Sequence, residues 1–397
     1  MSWIEISFWA SFIILFYIFI GYGFVVYLMV IAKRLFRCKV VNNPIIFEPN
    51  VTLVIYCHNK TDISTTKIAN CKQLNYPSEK LKFVFITDDS TYSSEGILNS
   101  WPETKVLQQF KYVGKAAAKN RVMKDVDTPF VVFSNVNTSL NPDAIKNMVR
   151  HFVNESVGCV CGKKGIFFRE INNAGAAGEG AYLKYNNFVH RLDSEINIAV
   201  GATGELVMYK TELYTNLPED TILDDFMESM LIAAAGNKVI YEPFAYMMET
   251  TFETVEQELK KKVRMCVGSW QSIVRLHGKL SFFKQPILFF QYISNRVLKL
   301  TILPFLLINL FIVNIKMDMY VSGIYQISMG VQFIFYTIAM FGLILKDTNL
   351  KYKQIFFPFH FCSMNYAILA GLVKYLTGSQ RVFWDRLKGK VIIFEKV

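Results

Sequence analysis

Residues 6–32 are mostly apolar and hold no charged side chain. About 20 apolar residues cross a bilayer, so this stretch predicts a tilted transmembrane helix. It is too long for the hydrophobic region of a signal peptide and has no small-residue cleavage site before its basic flank. Glu5 precedes it, and Lys33, Arg34, Arg37 and Lys39 come after it. The positive-inside rule then puts the N-terminus outside and residue 40 onward in the cytoplasm. Pro44 and Pro49-Asn50 mark an irregular linker that opens the more polar part of the chain.

The pattern changes between 50 and 250. Short β-branched and aromatic runs at 51–56, 82–87, 130–133 and 157–161 alternate with segments of helical length. That alternation predicts βαβ units and a parallel sheet. Such sheets bind ligands beyond the carboxyl ends of their strands, so the residues just after each run are the ones to inspect. Across 254–277, Val255, Leu259, Val263, Val267, Trp270 and Val274 recur every three to four residues with lysines between them. A basic amphipathic helix of this kind suits a membrane surface, and an ordinary core-facing helix is its alternative. Apolar stretches near 297–315, 319–345 and 355–376 read as further spans. One span before the polar region and three after it would leave the basic tail (Arg386, Lys388, Lys390) outside, against the positive-inside rule. Either the 281–298 region also enters the membrane or one stretch is re-entrant.

Composition agrees with this division. Hydrophobic residues make up 52% and charged residues 19%, too apolar for an ordinary soluble enzyme and too charged for a bundle that never leaves lipid. The net charge of +11 gathers beside apolar segments, as in 260–264, which points to anionic lipid rather than nucleic acid. The seven cysteines are scattered, and Cys159-Val160-Cys161 lacks a second pair and a nearby His, which argues against zinc. Few charges fall within the apolar stretches, which argues against a transporter.

The polar runs carry the chemistry. The first run is followed by Cys57-His58-Asn59-Lys60-Thr61-Asp62, the second by Asp88-Asp89-Ser90-Thr91. A strand-end carboxylate can accept hydrogen bonds from a nucleobase or ribose, although Asp and Ser are equally common helix caps. Gly114-Lys115-Ala116-Ala117-Ala118-Lys119-Asn120 sets small residues and a lysine at a helix start, where a phosphate can approach, without the spacing of a P-loop. The third run ends in Ser134-Asn135-Val136-Asn137. An acidic group, Glu219, Asp220, Asp224 and Asp225, precedes Gly236. Acidic groups this dense suit a general base or a metal site, or a solvated loop with helix caps.

In this order the segments resemble the family 2, GT-A fold glycosyltransferases, over about residues 50–275. The likeness is to membrane-embedded members such as the cellulose, hyaluronan and poly-N-acetylglucosamine synthases and to shorter bacterial exopolysaccharide transferases. The resemblance implies an α/β GT-A domain flanked by transmembrane helices. It divides the chain into an anchor (1–40), a catalytic domain (41–253), amphipathic interface helices (254–296) and a C-terminal transmembrane region with a basic tail (297–397). Asp88 resembles the uracil-holding Asp of the strand-end Asp-Gly-Ser motif, with Asp89 in place of its Gly. Lys115 matches the lysine of Gly-Lys-Ala-Ala-Ala-x-Asn, near the donor nucleotide. Leu223-Asp224-Asp225 falls where the family has Thr-Glu-Asp, which makes Asp225 the general base with Asp224 beside it. Gln-x-x-Arg-Trp reads Lys261-Lys262-Val263-Arg264-Met265, which keeps Arg264 for the diphosphate and loses the acceptor-stacking Trp.

The metal motif, Asp-x-Asp or Asp-Ala-Asn, reads Asn135-Val136-Asn137 here. Mg2+ or Mn2+ is the cofactor the resemblance implies, at an affinity lowered by neutral ligands at Asn135 and Asn137. The expected function is inverting transfer of a sugar from a nucleotide-diphosphate donor to a lipid-linked or polysaccharide acceptor. The catalytic domain would face the cytoplasm on a multi-pass inner-membrane protein, in contact with membrane lipids, with no nucleic-acid partner. A processive synthase that secretes its polymer and a non-catalytic glycosyltransferase-like partner protein are the alternatives.

Overall fold

The computed structural model describes residues 2–36, 47–57, 63–87, 101, 104–108, 114–167, 174–202, 205–250, 255–318, 323–345 and 353–379. Its centre is an eight-stranded sheet. The strands are β1 (Val51–Cys57), β2 (Leu81–Thr87), β3 (Lys105–Gln108), β4 (Phe130–Asn135), β5 (Ser139–Leu140), β6 (Val157–Phe167), β7 (Leu206–Lys210) and β8 (Lys238–Thr250), in the order β3-β2-β1-β4-β7-β6-β8-β5. The runs of the sequence are strands, but the sheet is mixed, which corrects the expectation of a parallel one. Strands β1 to β4 are mutually parallel, β7 runs antiparallel to both β4 and β6, and β5 runs antiparallel to β8. A short apolar run is compatible with either direction, because side-chain periodicity carries no information about chain polarity. Direction is set by the connections, which pattern alone does not display.

Every residue of β1 and β4 is buried, as expected for strands covered on both faces. Leu53, Ile55, Val132 and Met208 point into one layer with Ile145 and Met148. Val54, Tyr56, Val131, Phe133 and Tyr209 point into the other with Ala116, Ala118 and Met230. The register aligns the carboxyl ends of three strands, with Cys57 opposite Thr87 and Tyr56 opposite Asn135. The segments that leave those three ends therefore start from one edge of the sheet.

Among the described residues, three helices are long and apolar enough to cross a membrane: Trp3–Leu35, Ile324–Leu345 and Phe356–Leu376. The first contains a π-helical turn at Tyr17–Gly21. The 297–315 stretch, expected to be one span, is broken instead. Pro286–Thr301 and Leu303–Met317 meet at 55°. Pro304 explains the break, since it has no N–H to give and its ring collides with the carbonyl four residues back. Large apolar side chains such as Phe12, Ile13, Ile327, Phe333 and Ile334 lie exposed on these helices, as lipid-facing residues do.

A polar seam joins the first helix to the sheet domain. The Tyr22 hydroxyl donates to Asp193 Oδ1 at 2.5 Å, on the helix Ala174–Ile196. Asn295 donates to Asp193 Oδ2 at 3.0 Å, and Gln291 to Oδ1 at 3.2 Å. Burial pushes the Asp193 carboxyl up to about 7 against these hydrogen bonds. At the far end Lys33 donates to the carbonyls of Glu195 (2.9 Å) and Ile196, closing the carboxyl end of that helix with a cation. Arg34 grips the Glu195 carboxylate. The basic flank of the apolar stretch thus also docks the domain.

Candidate active site

Asp224 and Asp225 open the helix Asp224–Ala234, where the helix dipole favours negative charge. Both are buried. The helix Lys115–Val122 lies opposite. It starts after Gly114, whose φ of 93° suits glycine, and its alanines at 116 and 118 let it settle onto the sheet. Lys115 and Lys119 are four residues apart, hence on one face. Lys115 Nζ lies 2.8 Å from Asp225 and 3.5 Å from Asp224. Lys119 Nζ lies 2.6 Å from Asp224, and it also donates to Asp225 Oδ1. Two carboxylates and two ammonium groups thus close a compact, mutually neutral cluster.

Within it, burial opposes the charge of Asp224, but Lys115 and Lys119 outweigh burial and hold its carboxyl well below the usual range. Burial likewise works against the Lys119 ammonium, and Asp224 and Asp225 together raise it above its ordinary value. Lys119 also lies over the Phe133 ring, 4.4 Å from its centroid. One turn along, Glu228 is pushed up to about 7, mainly by burial. Glu228 Oε1 accepts from the Thr215 N–H at 2.9 Å, whereas its Oε2 is buried without a hydrogen-bond partner among the described residues.

A second corner forms around the turn after β4. Asn135 is buried, and Asn137 Nδ2 donates to Glu249 Oε1 at 3.3 Å. Glu249 is held by Lys164 from β6 at 2.5 Å and by Lys261 at 3.5 Å, and Lys164 also stands 3.7 Å from Glu205. Burial would raise the Glu249 carboxyl, and the two lysines reverse this, bringing it down to about 2. Behind the turn, the fully buried Lys67 donates to Ser134 Oγ (3.1 Å) and the Thr138 carbonyl (2.7 Å).

The helix Val255–Leu276 connects the two corners. Lys261 sits at the Glu249 end. Gly268, seven residues on and roughly 10 Å along the axis, packs against Ile222 and Leu223 beside the acidic pair. Gln271 and Arg275 tie the same end to residues 220–222. Arg264 lies between them, three residues past Lys261. Part of the apolar side of this helix is covered by protein, with Val263 and Cys266 against Ala367 and Ile368 of the last helix, whereas Val274 is exposed.

Of the sequence-derived candidates, the structure brings together Lys115, Asp224 and Asp225 in one cluster. It sets Asn137 in a different one and Arg264 on the helix between. Asp88 and Asp89 lie outside the described residues, directly after β2. Sequence reading missed Lys119, although its spacing from Lys115 was a usable signal. It also missed Glu249, Lys164 and Lys67, which only the tertiary fold brings to the turn.

The comparisons with known proteins agree with this architecture. Residues 52–216 match the family model described as Glycosyl transferase family 2. The chain carries a family 2 glycosyltransferase domain. It is similar to the poly-beta-1,6-N-acetyl-D-glucosamine synthase of Staphylococcus aureus, at 22% identity over 237 residues, covering 57% of this chain. The match spans 56% of that relative's length. Among solved structures, a mannosyltransferase from Pyrobaculum calidifontis, in complex with GDP-Man and Mn2+, superposes with a TM-score of 0.71 at 19% identity, over 95% of this chain and 100% of that one. The fold of the glycosyltransferase domain is GT-A, with membrane-length helices at both ends.

Proposed function

We propose that this glycosyltransferase transfers a sugar, with inversion, from a nucleoside-diphosphate donor to a lipid-linked or polysaccharide acceptor at a membrane face. The observation that carries the reading is the buried pairing of Asp225 with Lys115 and Lys119 at the start of its helix, within a family 2 domain. Asp225 accepts the proton of the acceptor hydroxyl. That oxygen attacks the anomeric carbon, the carbon–oxygen bond to the diphosphate breaks, and the nucleoside diphosphate leaves with both bonding electrons. In the resting cluster both lysines pair with Asp225. Lys119, the more buried, keeps it oriented. Lys115 is exposed enough, at 15%, to turn toward an arriving phosphate and unburden the base.

Asp88 and Asp89, directly beyond β2, would hold the donor's nucleoside, and Arg264 would approach its diphosphate. The membrane-length helices and the similarity to a polysaccharide synthase support action on a membrane-bound glycan, with the catalytic domain on the basic, cytoplasmic side of the inner membrane. The mannosyltransferase of the same fold was solved with Mn2+, which makes a divalent ion the ordinary means of neutralising such a leaving group. Around Asn135 and Asn137, however, the carboxylates, Glu249 and its neighbour Glu205, are already matched to two ammonium groups, and Asn137 offers only an amide. Among the described residues no group of three His, Cys, Asp or Glu gathers as metal ligands. These residues do not fit a divalent ion.

The test is Asp225→Asn in the full chain. Turnover should fall by about 10²–10⁴-fold while nucleotide binding persists. Normal turnover in that variant would remove Asp225 from the mechanism.

A further inference from the structure

We propose that Lys164 and Lys261 supply, at the turn after β4, the positive charge to which the donor's diphosphate binds. This rests on the glycosyltransferase reading and replaces the divalent cation in it.

Three observations carry it. First, the turn contributes no carboxylate of its own, since both positions that face the strand end are asparagine. Second, the cations that the fold brings beside the turn are ammonium groups held by Glu249, which accepts from Asn137: Lys164 lies 2.5 Å and Lys261 3.5 Å from that carboxylate. A dication placed there would have to displace these ammonium groups from Glu249, whereas a diphosphate oxygen can share them. Third, Lys261 lies on the helix whose Gly268, seven residues on, packs against Leu223, so the same element reaches from this turn to the acidic pair of the base. A leaving group held near Lys261 has the base about two turns along that helix.

Glu249 explains why the lysines are ready before a donor arrives. Ammonium groups 21% and 14% exposed would otherwise swing into solvent. A buried carboxylate fixes both in place, and an ammonium with three N–H donors can hold a carboxylate and a phosphate oxygen together. Glu205 at 3.7 Å from Lys164 completes a set of two carboxylates and two ammonium groups. The cluster is therefore neutral at rest, and a diphosphate binds by sharing ammonium groups that the carboxylates already hold in place.

The experiment is calorimetric titration of UDP and of GDP into the detergent-purified full chain, in EDTA and in Mn2+. Whichever nucleotide binds should do so in EDTA with a Kd within about threefold of its value in Mn2+. Lys164→Gln and Lys261→Gln should each weaken that binding about tenfold or more, and Lys164→Arg should largely restore it. The double variant Lys164→Gln, Glu249→Gln removes the carboxylate that Lys164 holds most closely, so it reports on binding even where the single variant folds poorly. Binding that requires Mn2+ and vanishes in EDTA overturns the proposal and leaves the glycosyltransferase reading standing. So does binding in EDTA that neither lysine variant weakens. Binding of neither nucleotide in either buffer overturns the glycosyltransferase reading itself.

Discussion

At the scale of single residues, the cluster of Lys115, Lys119, Asp224 and Asp225 decides most of what can be tested. Removing one partner of a buried ion pair leaves the other charge uncompensated, at about 3–5 kcal/mol. Lys119 is 3% exposed, so Lys119→Met should cost stability of that order, read from denaturant unfolding. The sign of the pH dependence comes from Asp224. Its carboxyl is held below its unfolded value, near 3.9, so its share of stability is intact above that pH. It is lost as pH falls through the depressed folded value. In Lys119→Met the folded value rises, so the acid limb of the unfolding curve should begin at higher pH than in the wild type. Lys115 was legible from its motif because motif and helix start coincide locally. Lys119 stood in the same seven residues and needed only helical spacing to be found. Lys164 and Glu249 had no such local mark, because 85 residues separate them and only the pairing of β6 with β8 joins them.

At the scale of elements, the helix Val255–Leu276 governs how the two corners are held. Its apolar periodicity was plain in the sequence, but what would cover that face was not, since periodicity does not distinguish lipid from protein. The structure covers part of it with the last membrane-length helix on one side and Ile222 and Leu223 on the other, and leaves Val274 exposed. Gly268 permits the second contact. A Cβ there would lie 2.7 Å from Leu223 Cγ and 2.8 Å from Ile222 Cγ2, closer than real contacts allow. Gly268→Ala should therefore push residues 222–225 away from their present position. Expected is a loss of about 10- to 100-fold in kcat/KM from misplacement of Asp225, the proposed base, with an unfolding cost of only ~1–3 kcal/mol. Steady-state kinetics beside a denaturant melt separates the two effects. The break at Pro304 was equally readable as chemistry, yet the hydropathy of 297–315 masked it, because a span is recognised by composition and a bend by one residue.

At the scale of the whole molecule, the sheet domain and the membrane-length helices meet at Asp193, and that junction titrates near neutrality. Its carboxyl, raised to about 7 by burial, lies far above its unfolded value, so the folded chain binds a proton that the unfolded chain has released. The stability it lends is full below the unfolded value, near 3.9, and is lost as pH rises toward and through 7. Glu228, also raised to about 7, acts with the same sign. The thermal stability of the detergent-purified chain should therefore decline between pH 5 and pH 8. Asparagine at 193 mimics the neutral acid and can still meet Tyr22, Gln291 and Asn295. Asp193→Asn should accordingly reduce that decline, and Asp193→Asn with Glu228→Gln should nearly abolish it. A pH slope unchanged in the double variant would mean that neither carboxyl is protonated in the folded chain. In that case Tyr22 and Asn295 would be binding a buried charge, and the seam would be an ionic clamp between domain and membrane helices.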